Sequence, residues 1–363
     1  MLILVTGATG LLGNNVVRLL LERGVRVRTL VREASDRRPL EGLSVERAIG
    51  DVRDADAVRA ACDGIDTVVH CAAHVHIGRT GLELQQAVNV GGTRCVAEAA
   101  LAAGCGMVHV STIDALGLGS RRAPADEQTP RGRAVLCPYV VTKRAAEQQV
   151  LQSVTRGLHA VIVNPGCMLG PWDWKPSSGR MLLEVARGRA FVAPRGVNCF
   201  CDVRDVAAGV LAAAERGQPG RRYILGGHSL TYMEAWKVFA RITGVRPPVI
   251  QVGPVVLAIG GVLGDWKTRW TGREGDVNSA SVAMSRLPKY YTSARAEEEL
   301  GYRIRSLEEM TQAAWDWFRD NGYVATEGRG GTVPPTCPVG VAGPAAAGHD
   351  PHERTHRVTY RSD

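Results

Sequence analysis

Along the first 165 residues, short apolar runs alternate with runs whose apolar positions recur at helical spacing. Leu2-Ile3-Leu4-Val5 is apolar throughout, as a strand buried on both faces must be. From Leu11 to Leu21 the apolar residues repeat as on one face of a helix, and Gly24 is placed to stop it. Val25 to Val31 alternates as a second strand. Gly50 to Asp54 closes a third, with Asp54 placed to cap a helix that runs to Cys62. Thr67 to Ala73 reads as a fourth strand, Leu82 to Ala103 as a long helix and Met107 to Ser111 as a fifth strand. A helix from Tyr139 to about Thr155 and a sixth strand, His159 to Val163, follow. Strands alternating with helices at this rhythm predict an α/β fold, a Rossmann-type, doubly wound parallel sheet.

The pattern loosens after residue 165. Helical segments near 179–188, 203–216, 231–243 and 306–320, with short strands near 191 and 222–225, predict a smaller C-terminal lobe. The expected division is a dinucleotide-binding domain over 1–165 and a mainly substrate-binding lobe over 166–323, some of whose segments return to the first core. Residues 249–264 are the most apolar run. They number 16 and include Gln251 and Pro254, whereas a membrane span needs ~20 apolar residues. A buried or lid helix is expected there, with peripheral membrane contact as the lesser alternative. From 324 to 363 the chain is Gly, Pro, Ala and polar residues without periodicity, a composition expected to form a disordered tail.

Composition narrows the function. A chain of 363 residues can bury a full core, and 45% hydrophobic residues suits a globular protein. The first residues already form a strand with no basic segment before it, so no signal peptide is read. Nine cysteines show no Cys-x-x-Cys pair or metal-ligand spacing, so a cytoplasmic protein without disulfides or metal is expected. The net charge of +8 comes mostly from arginines spread along the chain. That distribution suits an anionic cofactor better than nucleic acid.

Candidate chemistry begins in Thr6-Gly7-Ala8-Thr9-Gly10-Leu11-Leu12-Gly13, between the first strand and helix. Gly7 suits the tight turn, Gly10 the close approach of backbone N–H groups to a pyrophosphate, and Gly13 the packing of helix on sheet. An NAD-binding unit ends its second strand with an acid that binds ribose hydroxyls. Here the residue is Arg32, with Arg37 and Arg38 behind it, which favours the 2′-phosphate of NADP, with NAD as the alternative. Tyr139 and Lys143 are spaced i, i+4, one turn apart on a helix face. Hydride transfer to a carbonyl carbon needs a proton for the oxygen, and a phenol of pKa ~10 serves at neutral pH only beside a cation.

Thr6–Gly13, Asn89-Val90-Gly91-Gly92-Thr93, Ser111-Thr112, Tyr139–Lys143 and Pro165-Gly166 together resemble, in order and spacing, the extended short-chain dehydrogenases/reductases. The likeness covers about residues 1–323. Val31-Arg32, Trp172-Asp173-Trp174-Lys175-Pro176-Ser177-Ser178 and Tyr291 to Ala296 are most similar to the dihydroflavonol-reductase and 3β-hydroxysteroid-dehydrogenase branch. The resemblance implies a catalytic set of Tyr139, Lys143 and Thr112, the last found by counting five residues back from Gly117. Threonine is a mild departure there, because most relatives carry serine. The resemblance also implies cofactor contacts from Thr6, Leu11 and Leu12 in the turn and from Asp51 and Val52 by the adenine. Ala72 and Ala73 would touch the cofactor's middle, Asn89 would lie beneath it, and Pro165, Cys167 and Met168 would border the nicotinamide. His74, His76, the 114–135 loop, Trp172 and Trp174 would shape specificity, the tryptophans as pocket wall or core.

The expected activity is an NADP-dependent interconversion of a ketone and a secondary alcohol on a mostly apolar small molecule, with a homodimer as the expected assembly. The alternative is a nucleotide-sugar epimerase or dehydratase with tightly bound NAD(P). The epimerases commonly place a tyrosine where this chain has Leu116. They place an arginine where it has Asn198 and Cys199, with Arg195 and Arg204 nearest. A non-catalytic NADP sensor would have no need of Tyr139 as a proton donor.

Overall fold

The computed structural model describes residues 1–132, 137–190 and 192–324. The segment expected to be a disordered tail lies outside the described residues, apart from Val324. β1 (Leu2–Thr6) is buried at all five positions. Across the glycine turn, α1 (Leu11–Glu22) lays Leu12, Val16, Val17 and Leu20 against the sheet. β2 (Arg26–Val31), β3 (Glu46–Ile49), α2 (Ala55–Cys62) and β4 (Thr67–His70) follow. The Asp54 carboxylate accepts from the Asp56 and Ala57 N–H groups, which is the N-cap expected for α2. The helix read over 82–103 has three parts: α3 (Leu82–Gln85), a π-helical stretch Gln86–Gly92 and α4 (Thr93–Ala103). π stretches recur at functional sites, and this one holds Asn89. β5 (Gly106–Val110), α5 (Pro138–Val154) and β6 (Ala160–Pro165) complete the alternation.

The remainder runs β7 (Cys167–Leu169), α6 (Gly179–Ala186), β8 (Val192–Pro194), β9 (Val197–Asp202), α7 (Val203–Arg216) and β10 (Arg222–Leu225). After these come β11 (His228–Thr231), α8 (Tyr232–Thr243), β12 (Ile250–Val252), α9 (Pro254–Thr271), α10 (Ser279–Ser285), α11 (Ala294–Leu300) and α12 (Leu307–Asp320). The large sheet has the order β10-β6-β5-β4-β1-β2-β3. Every pairing in it is parallel. The winding reverses between β1 and β4, where Ile3 lies opposite Thr67 and Val5 opposite Val69. In such sheets ligands bind in the crevice beyond the carboxyl ends of those strands. Apolar cores fill both faces, one including Val16, Val17 and Val210 and the other Val58, Val96 and Val150. A third core, with Phe200, Phe239 and Phe318, holds the smaller lobe.

The run 249–264 does not form a buried helix. It makes β12 and the start of α9, in which Gly261 alone is buried. A Cβ at Gly264 would fall 1.9 Å from the Val277 carbonyl oxygen, and one at Gly261 3.0 Å from Ser279 Cα. Such close packing admits only small residues on the inner side, so the large apolar side chains of α9 are left outside.

Candidate active site

The glycine turn is fixed by contacts that only hydrogen tolerates. Gly7 has φ 69°, and a Cβ there would lie 2.6 Å from the Ala72 nitrogen. A Cβ on Gly13 would lie 2.3 Å from the Gly7 oxygen, which shows how closely α1 rests on the turn. Gly10 is different, since its Cβ would meet only the Gly7 oxygen, at 3.4 Å. Gly10 is also the N-cap of α1, which has no side-chain cap and no acid in its first turn. The positive end of the helix, with the first-turn N–H groups of Leu11, Leu12 and Gly13, is therefore free to face an anion.

That turn opens into a cleft of about 540 Å³. Gly7, Gly10, Leu11, Leu12 and Gly13 line it, as do Arg32, Asp51 and Val52 beyond the β2 and β3 ends. Ala72 and Ala73 follow β4, and Tyr139, Lys143 and Met168 lie on the β5 and β6 side. An uncapped helix end in a long cleft, with cations at its rim, fits a dinucleotide. Asp51 is held by Arg53 at 2.9 Å, which keeps its carboxyl below the ordinary range.

Four expected cofactor residues are not among those lining the cleft. Thr6 is buried, with its hydroxyl 2.7 Å from His70 Nδ1, and it accepts the Ala72 N–H at 3.3 Å. Asn89 accepts the His74 N–H at 2.7 Å and donates to the His74 carbonyl and to the Thr142 hydroxyl, each at 3.1 Å. It thus ties α5 to the segment after β4 and fixes His74, which does line the cleft. Pro165 is paired with Leu225 inside the sheet. Along β7 alternate residues face opposite ways, so Met168 reaches the cleft while Cys167 joins the smaller lobe's core.

Tyr139 and Lys143 both line the cleft from α5, as their spacing requires. The Lys143 ammonium donates to the Val110 carbonyl at 2.7 Å. Burial pulls it down to about 8, against the opposing charge of Glu147. Glu147 is a buried hub that accepts from Ser111 at 2.7 Å and Asn164 at 2.8 Å and pairs with Arg131 and Arg222. Ser111 is thereby engaged elsewhere. Thr112, the expected third catalytic residue, is buried and not among the residues lining the cleft; its hydroxyl accepts the Asp114 N–H at 3.2 Å. Burial pushes the Tyr139 phenol above its ordinary value and Asp114 adds to this, while Thr112 and Lys289 act the other way.

Lys289 is absent from the sequence reading. Its buried ammonium lies 2.7 Å from Asp114, and Asp114 and Tyr232 outweigh the burial that opposes its charge. The available signal was scarcity, because the chain has only five lysines. Asp173, Lys175, Ser177 and Ser178 also line the cleft, and burial pushes Asp173 up to about 6.

The two tryptophans are half-buried and pack against the smaller lobe's core. Trp172 and Trp174 pack on Trp317, with ring centroids 6.0 and 5.1 Å from it, and Arg18 covers the Trp172 ring at 3.3 Å. His76 bonds Glu274 at 2.8 Å. Residues 133–135 of the expected specificity loop lie outside the described residues.

Residues 3–226 match the NAD dependent epimerase/dehydratase family. Sterol demethylase protein B of Methylococcus capsulatus is 36% identical, covering 88% of this chain and 99% of its own. A putative dihydroflavonol 4-reductase of Synechocystis is 36% identical over 89% and 96%. The crystal structure of gox2253 is 37% identical with a TM-score of 0.79, covering 89% and 99%. The chain belongs to the NAD dependent epimerase/dehydratase family, the NAD(P)-dependent extended short-chain dehydrogenases/reductases that its motifs resemble.

Proposed function

We propose that the protein is an NADP-dependent reductase or dehydrogenase that interconverts a ketone and a secondary alcohol on a mostly apolar molecule. The observation that supports this reading is that Tyr139 and Lys143 line the cleft that begins at the glycine turn, with the buried Thr112 acting on the Tyr139 phenol from behind the lining. The residues that would hold the cofactor are the turn from Gly7 to Gly13, Arg32, Val52, Ala72, Ala73, Lys143 and Met168. The nicotinamide, when bound, gives or takes the hydride.

The rest of the chemistry belongs to side chains. Thr112 holds the substrate oxygen beside the phenol, and Tyr139 gives that oxygen its proton or removes it. Lys143 is fixed by the Val110 carbonyl with further N–H groups free for a ribose hydroxyl. The Asn89 clamp on His74 keeps the cleft wall from shifting.

A nucleotide-sugar substrate would need cations for two more phosphates. Arg204, one of the two nearest substitutes, is committed to Asp202 at 2.5 Å at the start of α7. Relatives named for sterol and dihydroflavonol chemistry also support an apolar substrate. The test is to incubate the purified protein with NADPH and a panel of hydrophobic ketones, and separately with UDP- and dTDP-sugars. NADPH consumed in proportion to alcohol formed is the expected result, lost by at least ~10² in Tyr139→Phe with little change in cofactor affinity. Epimerised or dehydrated sugar formed without added cofactor would overturn the reading.

A further inference from the structure

The helix α9 carries large apolar residues on the outside and Gly261 and Gly264 on the inside. Val255, Val256, Ile259, Leu263, Trp266 and Trp270 are between 55% and 81% exposed. At the α-helical repeat these six positions fall within an arc of about 100° on one face. Lys267 and Arg269 border that arc on either side. Gly261 and Gly264 lie on the other side, against the segment that leads into α10. The two tryptophans stack with ring centroids 6.0 Å apart.

The acids of this region are engaged away from the arc. Asp265 accepts the Ser279 N–H at 3.0 Å and faces Arg79. Glu274 is bound by His76, Thr80 and the Arg79 backbone, and Asp276 pairs with Arg180. The outer face is thus apolar and aromatic with cations at both borders. Contiguous apolar surface of this kind is rare on a protein that has no partner for it.

We infer that α9 lies in the plane of a bilayer surface that carries anionic headgroups, with the Trp266–Trp270 stripe in the acyl boundary and Lys267 and Arg269 at the headgroups. An in-plane helix of this kind needs a strong apolar stripe, interfacial tryptophan and flanking cations, and α9 has all three. No helix among the described residues is long and apolar enough to cross a membrane, so the contact is superficial. A second copy of the chain is the poorer occupant. Two-fold self-pairing would bring the border cations of both copies together along the edges of the interface, whereas anionic lipid neutralises them. On its other side α9 packs on α10, whose Ala280 and Met284 share an apolar cluster with Tyr139. The docked face is therefore one helix layer from Tyr139, although docking does not depend on which reaction occurs there.

The test uses the full chain and vesicles of phosphatidylcholine with or without phosphatidylglycerol, followed by flotation and by quenching of tryptophan fluorescence with bilayer-buried bromolipid. Binding to the phosphatidylglycerol vesicles, weakened by salt, is expected. Ile259→Glu with Leu263→Glu should reduce it at least tenfold without lowering the melting temperature, since both positions are exposed. Should that pair fail to fold, Lys267→Glu with Arg269→Glu tests the same face and should abolish the preference for anionic lipid. No vesicle binding by the wild type, or equal binding by these variants, would overturn the inference. So would a wild-type dimer in light scattering that the glutamates convert to monomer without any vesicle binding.

Discussion

Lys289 sits 2.7 Å from Asp114, and the two charges act in opposite senses on the Tyr139 phenol. Burial is the largest influence on how readily Tyr139 ionises, and the pair adjusts it in both senses. Removal of the pair should be read in the pH profile. In the proposed reaction, run toward alcohol oxidation, Tyr139 would have to be ionised to accept a proton. Lys289→Met removes the cation that favours the phenolate, so the limb governed by Tyr139 should move up by about one pH unit. Breaking the buried pair also costs roughly 3–5 kcal/mol of stability, because Asp114 is left alone. Lys289→Met with Asp114→Asn should recover much of that loss. A limb that does not move in Lys289→Met would show that the pair has only a structural role.

Lys143 predicts how the stability of the cofactor-free protein changes with pH. Its ammonium is held at about 8 in the folded protein, below the ordinary 10.5. Between those values the unfolded chain binds the extra proton, so the contribution of Lys143 to stability rises with pH. The penalty of burying the cation is fully present below about pH 8. Denaturant titrations should show wild type gaining about 2–3 kcal/mol on Lys143→Met as pH rises from ~8 to ~10. A constant difference between the two proteins would mean that Lys143 is not destabilised as a cation.

The parts of the site legible in the sequence were those set by local spacing. The turn from Gly7 to Gly13, the Asp54 cap and the i, i+4 pair Tyr139 and Lys143 depend on neighbours in the chain, and the structure places each as its spacing requires. Lys289 and Asp114 are 175 positions apart and meet only in the tertiary fold, with the Lys289 backbone held at Val197, so periodicity carried no trace of them. The three-residue strands β7, β8 and β12 are too short for an alternation to register. In α9 the apolar content was plain but its direction was not. Which side of a helix faces the protein was decided by Gly261 and Gly264, which hydrophobicity alone ranks as neutral.

Arg32 makes a prediction about cofactor choice. It is exposed and lines the cleft beyond the end of β2, where a 2′-phosphate would carry charge. Arg32→Asp should weaken NADP binding by about 1.5–3 kcal/mol, roughly ten- to a hundredfold, and relatively favour NAD. Titration of both cofactors against both proteins decides this. A wild type that prefers NAD would refute it.

Gly10 and Gly13 separate the fold from the cofactor site within one turn of chain. At Gly13 an added methyl would meet the Gly7 oxygen at 2.3 Å and the Gly7 carbonyl carbon at 2.8 Å. Both are backbone atoms held between α1 and β1, so Gly13→Ala must push the helix off its seat, an overpacking that costs about 1–3 kcal/mol. The melting temperature should fall with or without cofactor. At Gly10 the methyl would have a single contact at 3.4 Å, and the backbone, with φ −87° and ψ 167°, suits any residue. Gly10→Ala should therefore melt close to wild type. Its methyl nevertheless stands at the mouth of α1, where the first-turn N–H groups would receive the pyrophosphate, so cofactor affinity should fall at least ~10-fold. Thermal melts of both variants, with and without NADPH, measure the two effects independently. If Gly10→Ala kept the full NADPH-induced rise in melting temperature, the pyrophosphate would have to bind away from this turn.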